Sequence, residues 1–543
     1  MTDTRREVGR AATLIGAITI GSRLAGFGRM LVFTWAVGYL SLGAAYQSAN
    51  AIPNLIFELV AGGALAALAI PLLAAPLARG DQAQVDRTAS ALLTWALTAL
   101  IPIGVGVALL ARPLVELVTT DNVKPATVEA GTEMLVLFAP QLPLYGIAVV
   151  LTGVLQAHRR FAWPALAPLL SSVTMIGVYV LYAAVSGRQD DAAGVTQGQL
   201  WLLALGTTAG VAVLAGCLLI PMSRLGLHLR PTWRFDASVS ASVRALTIAG
   251  AVTLGAQQIC QVVLLRLAND AGDDGPVVVF TVAQTFFLLP WAVLAVPLAI
   301  AAYPGMSESH SLGRTADYQR TLASTTRAVL VLSGLGVTAL AGVSEPIATV
   351  LGRVQQTAPE SQISGTLAGL AFGLFGYSLF AVLSRGLYAV DRAYAAAVAV
   401  AAGWAAAAAS AFALSAVIDE EHRTVALAAA WSIGMTVTGV ALLAVVGVRT
   451  GAASLRGMGR AAAATLAATA AAVAAARAFI AWWGETASVL AALTEGVVAG
   501  LIAALVYVGV AALVDRRDIL RAVRRRTGTI PNGPTETESG DNP

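Results

Sequence analysis

Long apolar runs separated by short polar loops make up most of the chain. Fourteen runs are long enough to cross a bilayer, since a transmembrane helix needs about 20 predominantly apolar residues. The runs lie at about 12–38, 42–77, 88–111, 128–156, 164–186, 199–222, 243–267, 276–304, 322–345, 362–389, 394–417, 424–447, 461–482 and 487–514. The pattern predicts an all-α polytopic membrane protein with about 14 transmembrane helices.

The composition and the placement of charge refine this picture. Of 543 residues, 57% are hydrophobic and only 12% are charged, whereas soluble domains carry about 25% charged residues. If the N-terminus is cytoplasmic, the inner loops and both termini hold 25 arginines, and the outer loops hold six basic residues. Because positive loops stay in the cytoplasm, both termini are predicted to be cytoplasmic. The first apolar run is expected to remain as a helix, not to be cleaved as a signal peptide.

An internal repeat predicts two lobes. Residues 145–160 align without a gap on residues 377–392, sharing Tyr, Val, Leu, Leu, Ala and Arg. Six predicted spans separate the copies, so both cross the membrane in the same direction, as in parallel repeats about an axis along the membrane normal. The predicted division is a cytoplasmic N-terminus (1–11), an N-lobe of helices 1–6 (12–222), a cytoplasmic linker (223–242), a C-lobe of helices 7–12 (243–447), two further helices (461–514) and a basic, then disordered, cytoplasmic tail (515–543).

Several of the predicted helices are interrupted. Pro53 is followed by Gly62 and Gly63 in the second, and Pro290 lies in the eighth. Broken helices at matching positions of two halves are typical of transporters, because freed backbone groups are tolerated only against protein or a water-filled cavity. These positions are therefore candidate breaks or hinges, and ordinary proline kinks are the simpler alternative.

No residues with the spacing of a catalytic or metal site occur in the sequence. The two cysteines lie in apolar runs, the four histidines fall in separate loops, and no nucleotide-binding loop is present. An enzyme, a metal site, a cofactor and a nucleic-acid partner are therefore not expected. Transport would draw on a monovalent cation gradient, the membrane potential or the gradient of the substrate.

Two arginines inside the first apolar run are the strongest candidates for binding. Arg23 and Arg29 lie about 9 Å apart along one helix in the sequence SRLAGFGR. An arginine at bilayer depth costs about 2.5 kcal/mol or more, so it usually faces a cavity, and its planar guanidinium fits phosphate oxygens. Snorkelling, a salt bridge to Glu58 and a positive-inside anchor are the structural alternatives.

A second set of polar residues accompanies them. Glu58 follows Pro53 by about one helical turn and is expected to pair with an arginine of the first helix, with cation or proton coupling as the alternative. The candidate polar contacts of the cavity are Asn54, Gln257, Gln258, Gln261 and Gln284. Interhelical hydrogen bonding explains the four glutamines equally well.

Four stretches in order resemble one membrane-protein family. They are SRLAGFGR from Ser22, ANAIPNLIFELVAGG from Ala49, GVLQAHRRFAWPALAP from Gly153 and LLPWAVLAVPLAIAAYPGMS from Leu288. Together with fourteen spans, they resemble the MurJ (MviN) family of lipid II flippases, in its actinobacterial form. This family belongs to the multidrug/oligosaccharidyl-lipid/polysaccharide exporter superfamily, which also holds the MATE-like transporters.

The resemblance implies a fold and a function. It implies two six-helix lobes around a cationic cavity, with the last two helices lining a groove for a lipid tail. By alternating access, the lobes would carry lipid II from the inner to the outer leaflet of the bacterial cytoplasmic membrane for cell-wall synthesis. Arg23 and Arg29 would hold its pyrophosphate. Membrane lipids and cell-wall synthesis proteins are the further partners that it implies.

The chain departs from the family pattern at three cavity charges. Phe57 and Glu58 stand where many members have an arginine pair, Ala44 stands where they have aspartate, and Thr285 stands where they have arginine. Three further hypotheses therefore remain beside lipid II translocation. They are export of another polyprenyl-linked glycan or glycolipid, cation-coupled multidrug antiport through Glu58, and a non-transporting scaffold for cell-wall assembly.

Overall fold

The computed structural model describes residues 2–59, 72–73, 76–77, 79–233, 241–271, 275–355, 359–484, 486 and 488–514. Regular secondary structure in these residues is helical, with no strand among them. Gly62, Gly63, residues 234–240 of the expected linker and the tail 515–543 lie outside the described residues.

The helices are numbered here in chain order. The first eight are α1 (Thr2–Val37), α2 (Ser41–Glu58), α3 (Gln82–Leu109), α4 (Ala111–Val118), α5 (Pro125–Phe138), α6 (Gln141–Ala157), α7 (Ala162–Ser186) and α8 (Gln197–Ser223). The rest are α9 (Ala241–Asn269), α10 (Pro276–Pro290), α11 (Val296–Ser311), α12 (Thr315–Gly342), α13 (Ser344–Val354), α14 (Glu360–Ala371), α15 (Gly373–Ala389), α16 (Ala393–Ser415), α17 (Arg423–Thr450), α18 (Met458–Trp483) and α19 (Val489–Val514).

The helices are long and apolar enough to span a membrane, which confirms the predicted fold class. Ten described segments qualify by length and composition, and the bent pairs α5–α6 and α14–α15 raise the number to 12. The two remaining apolar runs of the sequence contain α1 and α2. Each of the fourteen predicted spans therefore contains a helix or a bent helix pair.

The two copies of the sequence repeat have the same local structure. α5 and α6 meet at an angle of 42°, and α14 and α15 meet at 40°. After each pair comes a residue in the left-handed conformation, Arg159 with φ 59° and Asp391 with φ 58°. In both turns the next amide donates to the carbonyl five residues back, at 2.8 and 2.9 Å, as in a Schellman motif. The two turns are 232 residues apart, which is the offset of the repeat.

The candidate breaks at the two prolines differ in structure. Pro290 ends α10 and is followed by a π-helical turn, Trp291–Ala295, before α11 begins. Turns of this kind widen a helix by one residue and are frequent at functional sites. Pro53, in contrast, lies within α2, which stays helical to Glu58.

The helices pack closely against one another around the interior of the protein. α1 packs against α7 and also contacts α10, which in turn contacts α2. α16 packs against both α9 and α17, and α18 packs against α12 and α19. At the α16–α17 contact, a Cβ atom added to Gly434 would lie 2.7 Å from the carbonyl oxygen of Gly403. Glycine is therefore needed for this approach, as in other membrane helix pairs.

Candidate functional site

A cavity of about 650 Å³ lies between α1, α2, α7, α8, α10 and the π-helical turn. Arg23, Arg29 and Asn54 line it, as do Thr281 and Thr285 of α10. Its lining contains two arginines and no aspartate or glutamate among the described residues. The cavity is therefore positively charged.

One face of α1 forms the cationic wall. Thr19, Ser22, Arg23, Gly26 and Arg29 line the cavity, and their spacing of three to four residues places them on one side of a helix. A Cβ atom at Gly26 would meet nothing within 4 Å. The glycine therefore leaves open space on this wall, at a position that lies between Arg23 and Arg29 in the sequence.

Arg29 lies in the deeper half of this wall. Its Nη1 is 2.9 Å from the sulfur atom of Met175 on α7. A thioether is a weak hydrogen-bond acceptor. Arg29 makes no ion pair with a described carboxylate, so most of its donors remain available to a ligand.

The cavity is open at one end and closed at the other. Thr19 and Arg23, near the N-terminal part of α1, are exposed. Phe33 and Tyr46 at the opposite end are 1% and 2% exposed. The Tyr46 hydroxyl lies 2.7 Å from that of Tyr179 and 2.8 Å from Thr207 Oγ1. This buried hydrogen-bonded group closes the deep end of the cavity, opposite Thr19 and Arg23.

The α2 wall carries amide side chains. Gln47, Asn50 and Asn54 line the cavity, and Asn54 Oδ1 accepts a hydrogen bond of 3.0 Å from the Tyr145 hydroxyl. Asn54 was a candidate from the sequence, whereas Gln47 and Asn50 were missed. Their spacing of three and four residues was the available signal.

Glu58 contacts α9 and not α1. Its Oε2 accepts hydrogen bonds from Gln258 Nε2 at 2.5 Å and from Gln257 Nε2 at 3.5 Å. In the described part of the chain no ion pair joins Glu58 to Arg23 or Arg29, so the expected arginine pair is not formed. Two of the four candidate glutamines therefore bridge helices, as the structural alternative predicted.

The other candidate glutamines do not reach this cavity. Gln261 on α9 and Gln284 on α10 are half-buried, and neither belongs to the cavity lining. The four candidate glutamines therefore lie outside the lining of the cavity that holds Arg23 and Arg29.

The three departures from the family pattern leave α1 as the source of the cavity charge. Ala44 is buried near the start of α2. Phe57 packs on Tyr145 with ring centroids 4.3 Å apart. Thr285 lines the cavity, and its hydroxyl donates to the carbonyl of Thr281 at 2.9 Å. These positions contribute aromatic packing and a neutral hydroxyl group in place of charge.

A separate set of hydrogen bonds, here called the α9 seam, joins the C-terminal end of α9 to α2 and the α4–α5 region. Asn269 Nδ2 donates to Ser48 Oγ at 3.0 Å and to the carbonyl of Val118 at 2.7 Å. Arg266 Nη1 donates to two carbonyls at the end of α4, at 2.8 and 3.2 Å. Asn122 Nδ2 donates 2.9 Å to the carbonyl that follows Asn269. No pattern in the sequence predicted this seam.

The helical bundle and its cationic internal cavity define a polytopic membrane protein of the transporter class, and no group of potential metal ligands occurs among the described residues. A sequence profile of the family "Lipid II flippase MurJ" matches residues 35–507. The chain therefore belongs to the MurJ family of lipid II flippases.

Individual relatives agree with this assignment. The lipid II flippase MurJ of Burkholderia cenocepacia is 24% identical over 388 residues, covering 70% of this chain and 73% of the relative. A solved structure of lipid II flippase MurJ in an inward closed conformation matches 94% of this chain and 100% of its own, with a TM-score of 0.72 and 17% identity. An inward-facing MATE family transporter of the MOP superfamily matches 80% of this chain and 96% of its own, with a TM-score of 0.62 and 16% identity. The fold is thus shared with both kinds of transporter.

Proposed function

We propose that this protein translocates lipid II from the inner to the outer leaflet of the bacterial cytoplasmic membrane by alternating access. The observation that carries the proposal is the cavity with Arg23 and Arg29 on one wall and no described carboxylate in its lining. A chain of the MurJ family with such a cavity suits a lipid whose headgroup begins with a pyrophosphate.

The two arginines would bind the pyrophosphate. A guanidinium group donates two parallel hydrogen bonds to phosphate oxygens, and such charge-assisted bonds are stronger than neutral ones. Arg23 lies at the open end and Arg29 lies deeper, so a headgroup that enters the cavity meets first one and then the other. The open space at Gly26 would leave room for the phosphates beside α1.

We assign the structure to a state that is open to the inside. The arginine distribution favours a cytoplasmic position for the N-terminal end of α1, and the cavity opens at this end. The α9 seam then lies on the outer side. Movement of an N-lobe (12–222) against a C-lobe (243–447) would close the inner opening and separate the seam, while 461–514 would guide the lipid tail.

We assign the free energy that drives this cycle to the membrane potential or to a monovalent cation gradient, with no cofactor. The π-helical turn after Pro290 and the proline of α2, Pro53, are the described positions at which the walls of the cavity would bend. Glu58 would stabilise the contact between α2 and α9 in this state.

Depletion of the protein in its native cell tests the proposal. Labelled lipid II is followed across the cytoplasmic membrane while the cells are complemented with wild type or with the double variant Arg23→Ala, Arg29→Ala. Accumulation in the inner leaflet is expected, and only wild type should relieve it. Arg79→Ala, at an exposed arginine outside the cavity, is the matched control and should also relieve it.

Two results would overturn the proposal. Normal lipid II turnover after depletion would remove lipid II as the substrate, and accumulation of a different polyprenyl-linked glycan in the same cells would identify the replacement. Full relief by the double variant at equal membrane abundance would show that the α1 arginines do not act on the lipid.

A further inference from the structure

Three amide side chains on α2 form a polar face inside the cavity. Gln47, Asn50 and Asn54 all line it, and their positions fall within roughly 60° around the helix axis. The next residue on this face, Glu58, contacts α9 beyond the cavity lining. We call Gln47, Asn50 and Asn54 the amide face of α2.

The protein itself uses little of the hydrogen-bonding capacity of this face. Asn54 accepts one hydrogen bond, from Tyr145. Gln47 Nε2 has only a 3.8 Å contact with the sulfur atom of Met30. Asn50 has no side-chain hydrogen bond to any described residue. Each amide offers two donors and an acceptor oxygen, and half-buried amides without partners are costly unless water or a ligand satisfies them.

The chemistry of the amide face differs from that of the α1 wall. Arginines attract a dianion, whereas neutral amides pair with neutral hydroxyl and amide groups, which act both as donors and as acceptors. The two walls therefore suit a ligand with two chemically different parts. One part is anionic and the other is neutral and rich in hydroxyl and amide groups.

We propose that the amide face of α2 is a second subsite, which binds the neutral disaccharide part of the headgroup, with its hydroxyl and N-acetyl groups, while the α1 arginines bind the pyrophosphate. This inference rests on the proposed function. It assigns to α2 the discrimination between a glycosylated lipid and the bare polyprenyl pyrophosphate, which has the same anionic group and no sugar. A site built for hydrogen bonds rejects a ligand that lacks them, because its polar groups are then left unpaired.

Binding of two lipid probes to the full-length protein in nanodiscs tests the subsite. The probes are lipid II and undecaprenyl pyrophosphate, and the variant is Gln47→Met with Asn50→Leu, which keeps side-chain volume and removes the amides. We expect the variant to bind lipid II at least 10-fold more weakly and to bind the bare lipid within 2-fold of wild type. Gln82→Met, at an exposed glutamine at the start of α3, is the matched control and should change neither.

The outcomes separate the subsite from the proposed function. Unchanged lipid II affinity in the variant, or an equal loss for both probes, overturns the subsite and leaves the proposed function standing. Failure of the wild-type protein to bind either probe overturns the proposed function instead. If the double variant does not fold, as judged by thermal unfolding, the single variant Gln47→Met decides by the same ratio of affinities.

Discussion

The α9 seam and the cavity beside α1 use polar side chains in opposite ways. In the seam, Asn269 is buried and donates both of its amide hydrogens to protein acceptors. In the cavity, Arg29 has a weak sulfur acceptor, and Asn50 has no side-chain partner in the described part of the chain. Satisfied polar groups hold helices together, whereas unsatisfied ones are available to a ligand. The difference distinguishes the polar residues that hold the helices together from those that we propose bind the lipid.

One helix takes part in both regions. Ser48 of α2 belongs to the seam, and Asn50, two residues later, faces the cavity. Two residues turn a helix by about 200°, so these side chains point to nearly opposite sides. A movement of α2 that admits a ligand to the amide face therefore acts directly on the seam.

Removal of the cavity cations is expected to have the largest effect. Arg23→Ala with Arg29→Ala should weaken binding of undecaprenyl pyrophosphate by roughly 100-fold or more, since each hydrogen bond to a charged group is worth about 1.5–3 kcal/mol. The same variant should leave the α9 seam intact. Lipid binding in nanodiscs measures the first effect, and unchanged thermal unfolding checks the second. A loss of less than 5-fold would show that the cations are structural.

Breaking the seam comes next. Asn269→Leu leaves Ser48 and the Val118 carbonyl without their donor, at a cost of about 2–4 kcal/mol to the state described here. The population should shift toward a state in which the cavity is reached from outside. Labelling of Thr285→Cys by an external, membrane-impermeant maleimide measures the shift, after replacement of both native cysteines by alanine.

An exposed residue of the same seam provides the matched comparison for that experiment. Asn122→Leu removes a hydrogen bond that water can replace, so the labelling rate should rise much less than with Asn269→Leu. Equal rates for both variants, or no rise for Asn269→Leu, would contradict the assignment of the seam as the contact that keeps the outer side closed.

The contact of Glu58 should contribute less than the seam. Gln258→Met removes the shorter hydrogen bond to a carboxylate that is exposed and can turn to water, so a loss of about 1 kcal/mol is expected. In a protein of this size, that is a fall in Tm of about 1–2 °C. Gln261→Met, one turn away on the same helix, is the control because its side chain contacts neither Glu58 nor the cavity. A larger fall for Gln261→Met would reverse the ranking of the two glutamines.

The smallest expected effect is a pH dependence at the start of α2. Ser41 Oγ donates to Asp191 Oδ1 at 2.7 Å, and this bond, with one from the Ala193 amide, lowers the pKa of Asp191. A lowered pKa means that the carboxylate stabilises the fold above its unfolded pKa of about 4 and loses this effect as the pH falls through the folded pKa. The Tm should therefore fall slightly less between pH 7 and pH 3 in Asp191→Asn than in wild type. Identical pH profiles would show that the bond is not coupled to folding.

The fold was largely predictable because its signals are local. Apolar runs predicted the helices, and the repeat from Tyr145 aligned two segments that end in equivalent turns 232 residues apart. Arg23 and Arg29 were also found from the sequence, because charge within an apolar run is expensive wherever the run lies. Their six-residue spacing leaves them about 120° apart around the helix axis, so their presence in one cavity also depends on the helices that surround α1.

The remaining contacts were not predictable because they depend on which helices become neighbours. Ser48 and Asn269 are single polar residues 221 positions apart. Nothing in the sequence around either residue indicates that the other is its partner. Glu58 was assigned the wrong partner for the same reason, since spacing along α2 does not tell whether the carboxylate faces α1 or α9. The amide face has a regular spacing, but the same spacing occurs at interhelical hydrogen bonds.

The π-helical turn at Trp291–Ala295 has a consequence for the phase of the helix that it interrupts. Thr281, Thr285, Leu288 and Ala292 follow one another at spacings of three and four residues along the cavity, and a continuous α-helix would extend this line through Ala295 and Ala299. The surplus residue of a π turn shifts the register by about 100°. Ala295 and Ala299 are accordingly found in the hydrophobic core. A single inserted residue thus lets one continuous helical segment face the cavity before the π-helical turn and pack into the hydrophobic core after it.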